Sequence, residues 1–299
     1  MLLSILIPTY NTDCTALAKA LITQCDALNL SYELIVADDG STDKAARLAN
    51  QAINTWPHAR FITRSPNAGR TATCNFLAHE ARGTWALICD SDMQVVRADF
   101  IAKYLAAMAQ ADVVLGGLQH VETQPSPKVS LRYRYEAWVT KRWPLAKRQA
   151  YPLHGMTTAN ILLRRTLLLR YGFDTRCQHY GYEDALLGRA LALGGHRAIY
   201  IDNPLLHLGL EPNTIYLAKV ETSLRTLHDL NDSAIHTYFP ISRLALHLQR
   251  WHLLSIVAAI FHLLQGVWRR HLLGSKPFIP LLQAYKVAYY CHWQTKRQP

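Results

Sequence analysis

Acidic residues are missing from the C-terminal part of this chain: between Ser233 and Pro299 there is no Asp or Glu. The same stretch holds Arg243, Arg250, Arg269, Arg270, Lys276, Lys286, Lys296 and Arg297, with no opposite charge nearby in sequence. Such a segment argues against a cationic partner and points to anionic surfaces, phospholipid headgroups or nucleic acid. Long apolar runs are missing too. Leu253 to Leu264 comes nearest, with His262, Gln265 and the Arg269-Arg270 pair interrupting or bounding it. That falls short of the ~20 residues that span a bilayer. It fits an amphipathic helix lying in the interface, with Trp251, leucines and Trp268 on its apolar side. After Pro277 and Pro280 a last helix carries Tyr285, Tyr289, Tyr290 and Trp293, residues favoured at membrane interfaces. Helices packed on the preceding domain or forming a dimer are the competing reading. No Gly-x-Gly-x-x-Gly follows the first apolar run, which argues against a dinucleotide-binding oxidoreductase. The six cysteines, at positions 14, 25, 74, 89, 177 and 291, form no Cys-x-x-Cys pair and no zinc spacing. Free thiols in a reducing compartment are the expectation. Internal repeats and low-complexity tracts are absent, and hydrophobic residues make up 50% of the chain, which argues against disorder. Met1 to Ile7 is apolar, but no basic residues precede it and Pro8 ends it at once. It reads as a first strand rather than a signal peptide. The expected location is cytoplasmic, peripheral on the inner face of the membrane.

What is present begins with charge. The formal net charge is +11, and it is concentrated in two places. One is the tail just described. The other is Lys128 to Arg148, where seven basic residues accompany a single acid, Glu136, and alternate with Tyr133, Tyr135, Trp138 and Trp143. This mixture suits an acceptor groove, a solvated amphipathic helix or, third, single-stranded nucleic acid. The rest of the chain is close to neutral.

Short apolar runs at Leu2–Ile7, Glu33–Ala37, Phe61–Thr63 and Thr84–Ile88 read as strands. Helical periodicity separates them: Ala16 to Asn29, a helix from Ala45 towards Trp56 capped by Ser41 or Thr42, and another through Asn75 to Ala81. Alternation of this kind predicts an α/β fold with a parallel or mostly parallel sheet and flanking helices. Further helices are expected at Ala98–Gln110 and Thr214–Leu230, and further strands at Asp112–Gly117, Ile161–Leu163 and Arg197–Ile201. Three strand ends carry polar turns: Pro8-Thr9-Tyr10-Asn11, Asp38-Asp39 and Asp90-Ser91-Asp92. Open α/β sheets bind ligands outside the carboxyl ends of their strands. Alternation along an extended segment puts Asp90 and Asp92 on one side, where hard oxygen ligands suit Mg²⁺ or Mn²⁺ holding phosphate oxygens.

Taken in order, Pro8-Thr9-Tyr10-Asn11, Asp38-Asp39-Gly40-Ser41-Thr42-Asp43, Asn67-x-Gly69-Arg70 with Asn75, and Asp90-Ser91-Asp92 resemble glycosyltransferase family 2. The resemblance covers roughly the first 210 residues. It implies a GT-A fold and transfer of a sugar from a nucleotide donor with inversion. It also implies that Tyr10 stacks near the base, that Asp38 or Asp39 hydrogen-bonds it, and that Asp90 and Asp92 serve the ribose and the metal. An acidic pair suits uracil N3–H, hence a UDP-sugar, and Arg70 is placed near the diphosphate or on a solvated first helical turn. Pro8, Thr9, Asn11, Asn67, Gly69 and Ser91 complete the expected nucleotide-sugar site.

Further on, Tyr171-Gly172-Phe173-Asp174 resembles the turn that precedes the family's catalytic acids, and Gly181-Tyr182-Glu183-Asp184 resembles the acidic motif itself. A hydroxyl nucleophile needs its proton removed, and a positioned carboxylate can do this. By resemblance Asp184 is the base, with Glu183 orienting the acceptor or standing in as the base. His207, in His207-Leu208-Gly209, resembles a third metal ligand, and neutral imidazole can bind Mn²⁺. His154 is a weaker candidate on the acceptor side. The expected organisation is a catalytic domain over residues 1–232 and a basic helical appendage over 233–299. The acceptor is expected to be a glycan or a lipid-linked molecule rather than nucleic acid. Two other readings stay open: a metal-dependent nucleotidyltransferase, and a non-catalytic basic module for membrane or nucleic acid.

Overall fold

The computed structural model of the chain describes residues 2–122, 126–230 and 232–296. Met1 and the basic Arg297 lie outside the described residues. In chain order, β1 (Leu3–Thr9), α1 (Thr15–Ala27), β2 (Tyr32–Asp39), α2 (Lys44–Gln51), β3 (Ala59–Arg64), α3 (Arg70–Glu80) and β4 (Trp85–Cys89) form the predicted alternation. The cap of α2 differs from expectation. Asp43 accepts hydrogen bonds from the Ala45 and Ala46 amides, while Ser41 and Thr42 are held by the strand-end turns. The chain continues through β5 (Met93–Val95), α4 (Phe100–Ala107), β6 (Val113–Leu115) and β7 (Leu118–His120), then α5 (Ser130–Arg142) and α6 (Leu145–Ala150). The expected single basic segment is thus broken at Pro144, which cannot donate within a helix and disfavours helical backbone at Trp143. There follow β8 (Asn160–Arg164), α7 (Arg165–Tyr171), α8 (Glu183–Leu193), β9 (Ala198–Tyr200), β10 (Leu205–His207) and α9 (Asn213–Asp229). The tail is α10 (Ser233–Tyr238), α11 (Pro240–Arg250), α12 (Leu254–Leu272) and α13 (Ile279–Thr295).

Seven strands form one sheet in the order β3-β2-β1-β4-β8-β6-β9. Neighbours are parallel except at β8, which runs antiparallel to both β4 and β6. The first, second and fourth strands read as continuous apolar runs because both sheet faces are covered. Leu3, Ile5 and Ile7 pack with Leu17 and Leu21 of α1 and Phe100 of α4. Leu6 faces the other way, towards Leu77 of α3 and Leu168 of α7. A second, three-stranded sheet, β5-β10-β7, was not expected, because three-residue strands are too short to carry a period-2 signal.

The chain resolves into two compact units. One comprises Met1–Val121, Trp143–Thr175 and Glu183–Gly209; the other comprises Glu122–Arg142, Arg176–Tyr182 and Leu210–Pro299. The boundary expected at 232/233 lies inside the second unit, between α9 and α10. Within that unit, Phe261 of α12 meets Tyr285 and Tyr289 of α13 edge-on. Glu221 of α9 accepts from both Tyr285 and Arg269. Tyr285 and Tyr290, expected at a membrane interface, are therefore core residues. Trp268 packs beside Phe261 and Tyr285, whereas Trp251 is 75% exposed.

Asn160 fastens the start of β8. Its Nδ2 donates to the carbonyls of Gly117 and Asn203 at 2.7 and 2.9 Å, and its Oδ1 accepts from the buried Tyr104 hydroxyl at 2.6 Å. Asn160→Ala removes three buried hydrogen bonds and is expected to cost at least about 2 kcal/mol, read as a lower urea midpoint at unchanged slope.

Candidate active site

The polar residues gather where β1, β2 and β4 end. Thr9 lies opposite Asp38 in the parallel pairing of β1 with β2, and Leu6 opposite Ile88 in that of β1 with β4. Because β8 runs the other way, its beginning shares this edge: Cys89 pairs with Asn160, and the Asp90 amide donates to the Ala159 carbonyl at 3.1 Å. One reversed strand therefore brings residues 154–159 beside the Asp90 turn.

The first two turns are tied to each other. The Oδ1 of Asn11 accepts from the Thr42 and Asp43 amides at 2.7 and 2.9 Å, and its own amide donates to Ser41 Oγ at 2.7 Å. Asp38, 1% exposed, accepts from the Ser41 hydroxyl and amide and lies 3.8 Å from Arg47. Asp39 accepts from the amides of Ala68 and Gly69 at 3.0 and 2.8 Å and from Arg64 at 3.3 Å. Asn67 donates to the Asp39 carbonyl at 2.8 Å. Asp39 thus anchors the N-terminus of α3, where amide donors favour a carboxylate. Gly69 precedes that helix at φ 86°, a left-handed value that excludes most other residues. Both acids of the expected base-binding pair are engaged by the chain itself. Pro8 and Thr9 are buried in β1, while Tyr10 is 46% exposed at its end.

Arg70 is the hub. Its Nη2 donates to Asp90 Oδ1 at 2.6 Å and its Nη1 to Asp184 Oδ1 at 3.3 Å, while Thr158 Oγ1 accepts from Nη2 at 3.0 Å. Its guanidinium also lies 5.7 Å from the Phe173 ring. Burial alone would lower the Arg70 pKa; Asp90 and Asp184 hold it well above its usual value. Burial raises the Asp90 carboxyl above the ordinary range, Arg70 pulls the other way, and the charges of Asp92 and Asp184 push it up further. Asp184 is held twice by Thr158, whose amide donates to Oδ2 at 3.1 Å and whose hydroxyl donates to Oδ1. The Asp184 side chain is 27% exposed, whereas Glu183 beside it is buried, which separates the two acids in access to an incoming acceptor. Asn75 exchanges two 2.8 Å hydrogen bonds with the backbone of Phe173 and so fixes the turn preceding the acidic motif.

Asp92 meets the His207 imidazole. Its Oδ2 lies 3.2 Å from Nε2 of His207, and its carbonyl accepts from the Leu208 amide at 3.0 Å. The small sheet makes this meeting, since Met93 of β5 pairs with His207 of β10. Gly209 is part of the same device: a Cβ there would stand 1.9 Å from Asp92 Oδ2. The three expected metal ligands are not gathered together. Asp92 and His207 meet, Asp90 is taken by Arg70, and no group of three or more metal-ligating side chains occurs among the described residues. The physical reason is that Ser91 and Asp92 form a turn between β4 and β5 instead of continuing the strand, so the alternation assumed for the two carboxylates ends at Asp90. A carboxylate beside an imidazole still suits Mn²⁺ or Mg²⁺ whose other ligands come from phosphate oxygens. His154, expected on the acceptor side, stacks on Trp143 at 4.8 Å.

Thr158, Arg64 and Gly209 were not assigned by sequence reasoning. Thr158 belongs to no motif of its own, and only the antiparallel pairing of β8 reveals its place.

The family model for glycosyl transferase family 2 matches residues 4–172. An uncharacterized glycosyltransferase of Haemophilus influenzae is 33% identical over 117 residues, 38% of this chain and 45% of that protein. An undecaprenyl-phosphate 4-deoxy-4-formamido-L-arabinose transferase of Proteus mirabilis is 32% identical over 94 residues, 30% of this chain and 29% of its own length. A poly(ribitol-phosphate) beta-glucosyltransferase of Bacillus spizizenii is 31% identical over 137 residues, 43% of this chain and 21% of its own length. The chain thus spans less than half the length of these curated relatives. Among solved structures, the mannosyltransferase PcManGT from Pyrobaculum calidifontis, in complex with GDP-Man and Mn²⁺, has a TM-score of 0.57 at 18% identity. That match covers 97% of this chain and 84% of the other. S. aureus TarS 1–349 in complex with UDP-GlcNAc has a TM-score of 0.52 at 16% identity, covering 99% of this chain and 92% of the other. At these identities the likeness is one of fold.

Gly209→Ala is expected to push the Asp92 carboxylate out of its position and to weaken Mn²⁺ binding at least about tenfold, about 1.4 kcal/mol. Calorimetric titration with MnCl₂ alone measures this; unchanged affinity would separate Asp92 from the metal.

Proposed function

This chain belongs to glycosyltransferase family 2, and we propose that it moves a sugar from a UDP-sugar to a hydroxyl group of a glycan or lipid-linked acceptor, with inversion. The observation that carries the reading is the cluster of Arg70, Asp90, Asp184 and Thr158 at the sheet edge. Asp184 has two anchors on Thr158 and a partly exposed carboxylate, which are the attributes of a general base rather than of a buried cap.

Arg70 links donor and base. Its guanidinium pairs with both Asp90 and Asp184. A diphosphate carries more charge than either carboxylate and matches the planar fork of Arg. Donor binding therefore competes for Arg70 and releases Asp184 to accept the acceptor's proton as the hydroxyl oxygen attacks the anomeric carbon. Thr158 keeps Asp184 aimed through this exchange. Asp92 and His207 would hold a divalent ion, Mn²⁺ or Mg²⁺, which when bound neutralises charge on the departing diphosphate. Tyr10 supplies a ring face for the base.

The uridine donor rests on TarS, whose solved complexes hold UDP and UDP-GlcNAc; PcManGT with GDP-Man makes guanosine the competing outcome. The acceptor class rests on relatives named for undecaprenyl phosphate and poly(ribitol phosphate). A hydroxyl nucleophile is favoured over a phosphate because only the hydroxyl requires a base such as Asp184.

A titration and three variants test the reading. Titration with UDP, GDP and CMP, each with and without Mn²⁺, should give metal-dependent binding of UDP, and Asp92→Asn should remove the metal dependence. Asp184→Asn should keep UDP affinity while turnover falls about 10²- to 10⁴-fold. Unaltered turnover would remove Asp184 as the base. Thr158→Val should lower kcat with little change in KM, the pattern of a positioning residue.

A further inference from the structure

Helix α12 has two apolar faces, and only one of them is used inside the protein. Leu254, Ala258, Phe261 and Leu272 are buried in the second unit. On the opposite side Ile256, Ile260, Leu263 and Val267 are exposed by 54, 43, 78 and 63%. Their spacing of four, three and four residues keeps them in one stripe of the helix surface. The stripe runs about 17 Å at the ordinary rise of a helix. Just before the helix, Trp251 and Leu253 add exposed apolar surface at the turn from α11. Basic side chains mark both ends: Arg250 before the stripe, Arg270 and Lys276 after it, all exposed. The only charged residues between Ser233 and Pro299 are cationic.

We infer that this face of α12 docks on an anionic phospholipid surface, with the Ile256–Val267 stripe in the headgroup–acyl boundary and Arg250, Arg270 and Lys276 on lipid phosphates. Charge complementarity selects this occupant. A second copy of the chain would set Arg250 and Arg270 against the same cations, and like charges across an interface are costly. No single described helix is long and apolar enough to cross a membrane, and α11 and α12, which together reach the necessary length, are bent by 115°. A helix in the interface plane, with an exposed Trp at one end and Arg or Lys at both, needs neither condition. The inference is independent of the transfer chemistry, since none of these residues belongs to the Arg70 or Asp92 clusters.

Flotation of the full chain with vesicles of phosphatidylcholine alone, or with one third phosphatidylglycerol, tests it. Binding is expected to the anionic vesicles and to be at least about tenfold weaker to the neutral ones. Leu263→Glu with Val267→Glu changes two exposed residues, so the fold should keep its melting temperature while binding falls at least about tenfold. Arg250→Gln and Arg270→Gln should each weaken binding roughly fivefold without touching the apolar stripe, so that the test survives if the first variant misfolds. Absence of flotation by the unmodified chain, or undiminished flotation of either set of variants, would overturn the inference. So would a lipid-free dimer, seen by sedimentation velocity, that Leu263→Glu with Val267→Glu dissociates, because it would assign the face to a second copy.

Discussion

The candidate site depends on one guanidinium. Asp90 and Asp184 come from different parts of the chain to one sheet edge, where burial and the charges of Asp92 and Asp184 raise the Asp90 carboxyl above its ordinary range. Arg70 makes the pairing tolerable by donating to both, and its own charge is kept by them against burial. Removing it would leave two close carboxylates, Asp184 still held by Thr158 and Asp90 without this cation. The position of Arg70 is in turn imposed from below. Asp39 holds the amides of Ala68 and Gly69, Asn67 holds the Asp39 carbonyl, and the left-handed backbone at Gly69 turns the chain into α3. Asp39 at the end of β2 thereby acts on Arg70 through the loop it anchors.

A single topological reversal supplies the rest. If β8 ran parallel to β4, its beginning would lie at the far edge of the sheet, and Thr158 could not reach Asp184. Running antiparallel, it sets Asn160 against Cys89 and lets Asn160 tie together Tyr104, Gly117 and Asn203 beneath the site. The small sheet does the same for the other half of the site by pairing Met93 with His207. Two carboxylates separated by one residue, Asp90 and Asp92, then face different partners: a cation in one case, an imidazole in the other. That division suits two tasks, neutral anchoring of the donor and ligation of an ion.

The helical unit obeys a different rule. Its aromatic residues read equally well as interfacial anchors or as core, because Tyr and Trp serve both environments. In the fold Tyr285 and Tyr290 are buried, with their hydroxyls bonded to Glu221 and His236, while the aliphatic side chains of α12 are left facing outward. The interfacial placement thus fails for Tyr285 and Tyr290, which are core residues, while Trp251 is exposed as that placement requires.

The sequence by itself determined the alternating α/β architecture and the strand ends that bear polar turns. Those depend on local patterns: apolar runs of strand length, helical periodicity between them, and Asp or Asn where the chain must turn. It also singled out Arg70, Asp90, Asp92, Asp184 and His207 by motif. Tertiary structure alone decided which of them meet. Residues 70, 90, 158 and 184 are far apart in the chain, and only strand order, the reversal of β8 and the pairing of β5 with β10 bring them within hydrogen-bonding distance. No periodicity encodes such long-range pairings, and the strands β5, β7 and β10 are too short to announce themselves. The same limit hid the outward stripe of α12, since a helix that is apolar all round does not reveal which face its neighbours will cover.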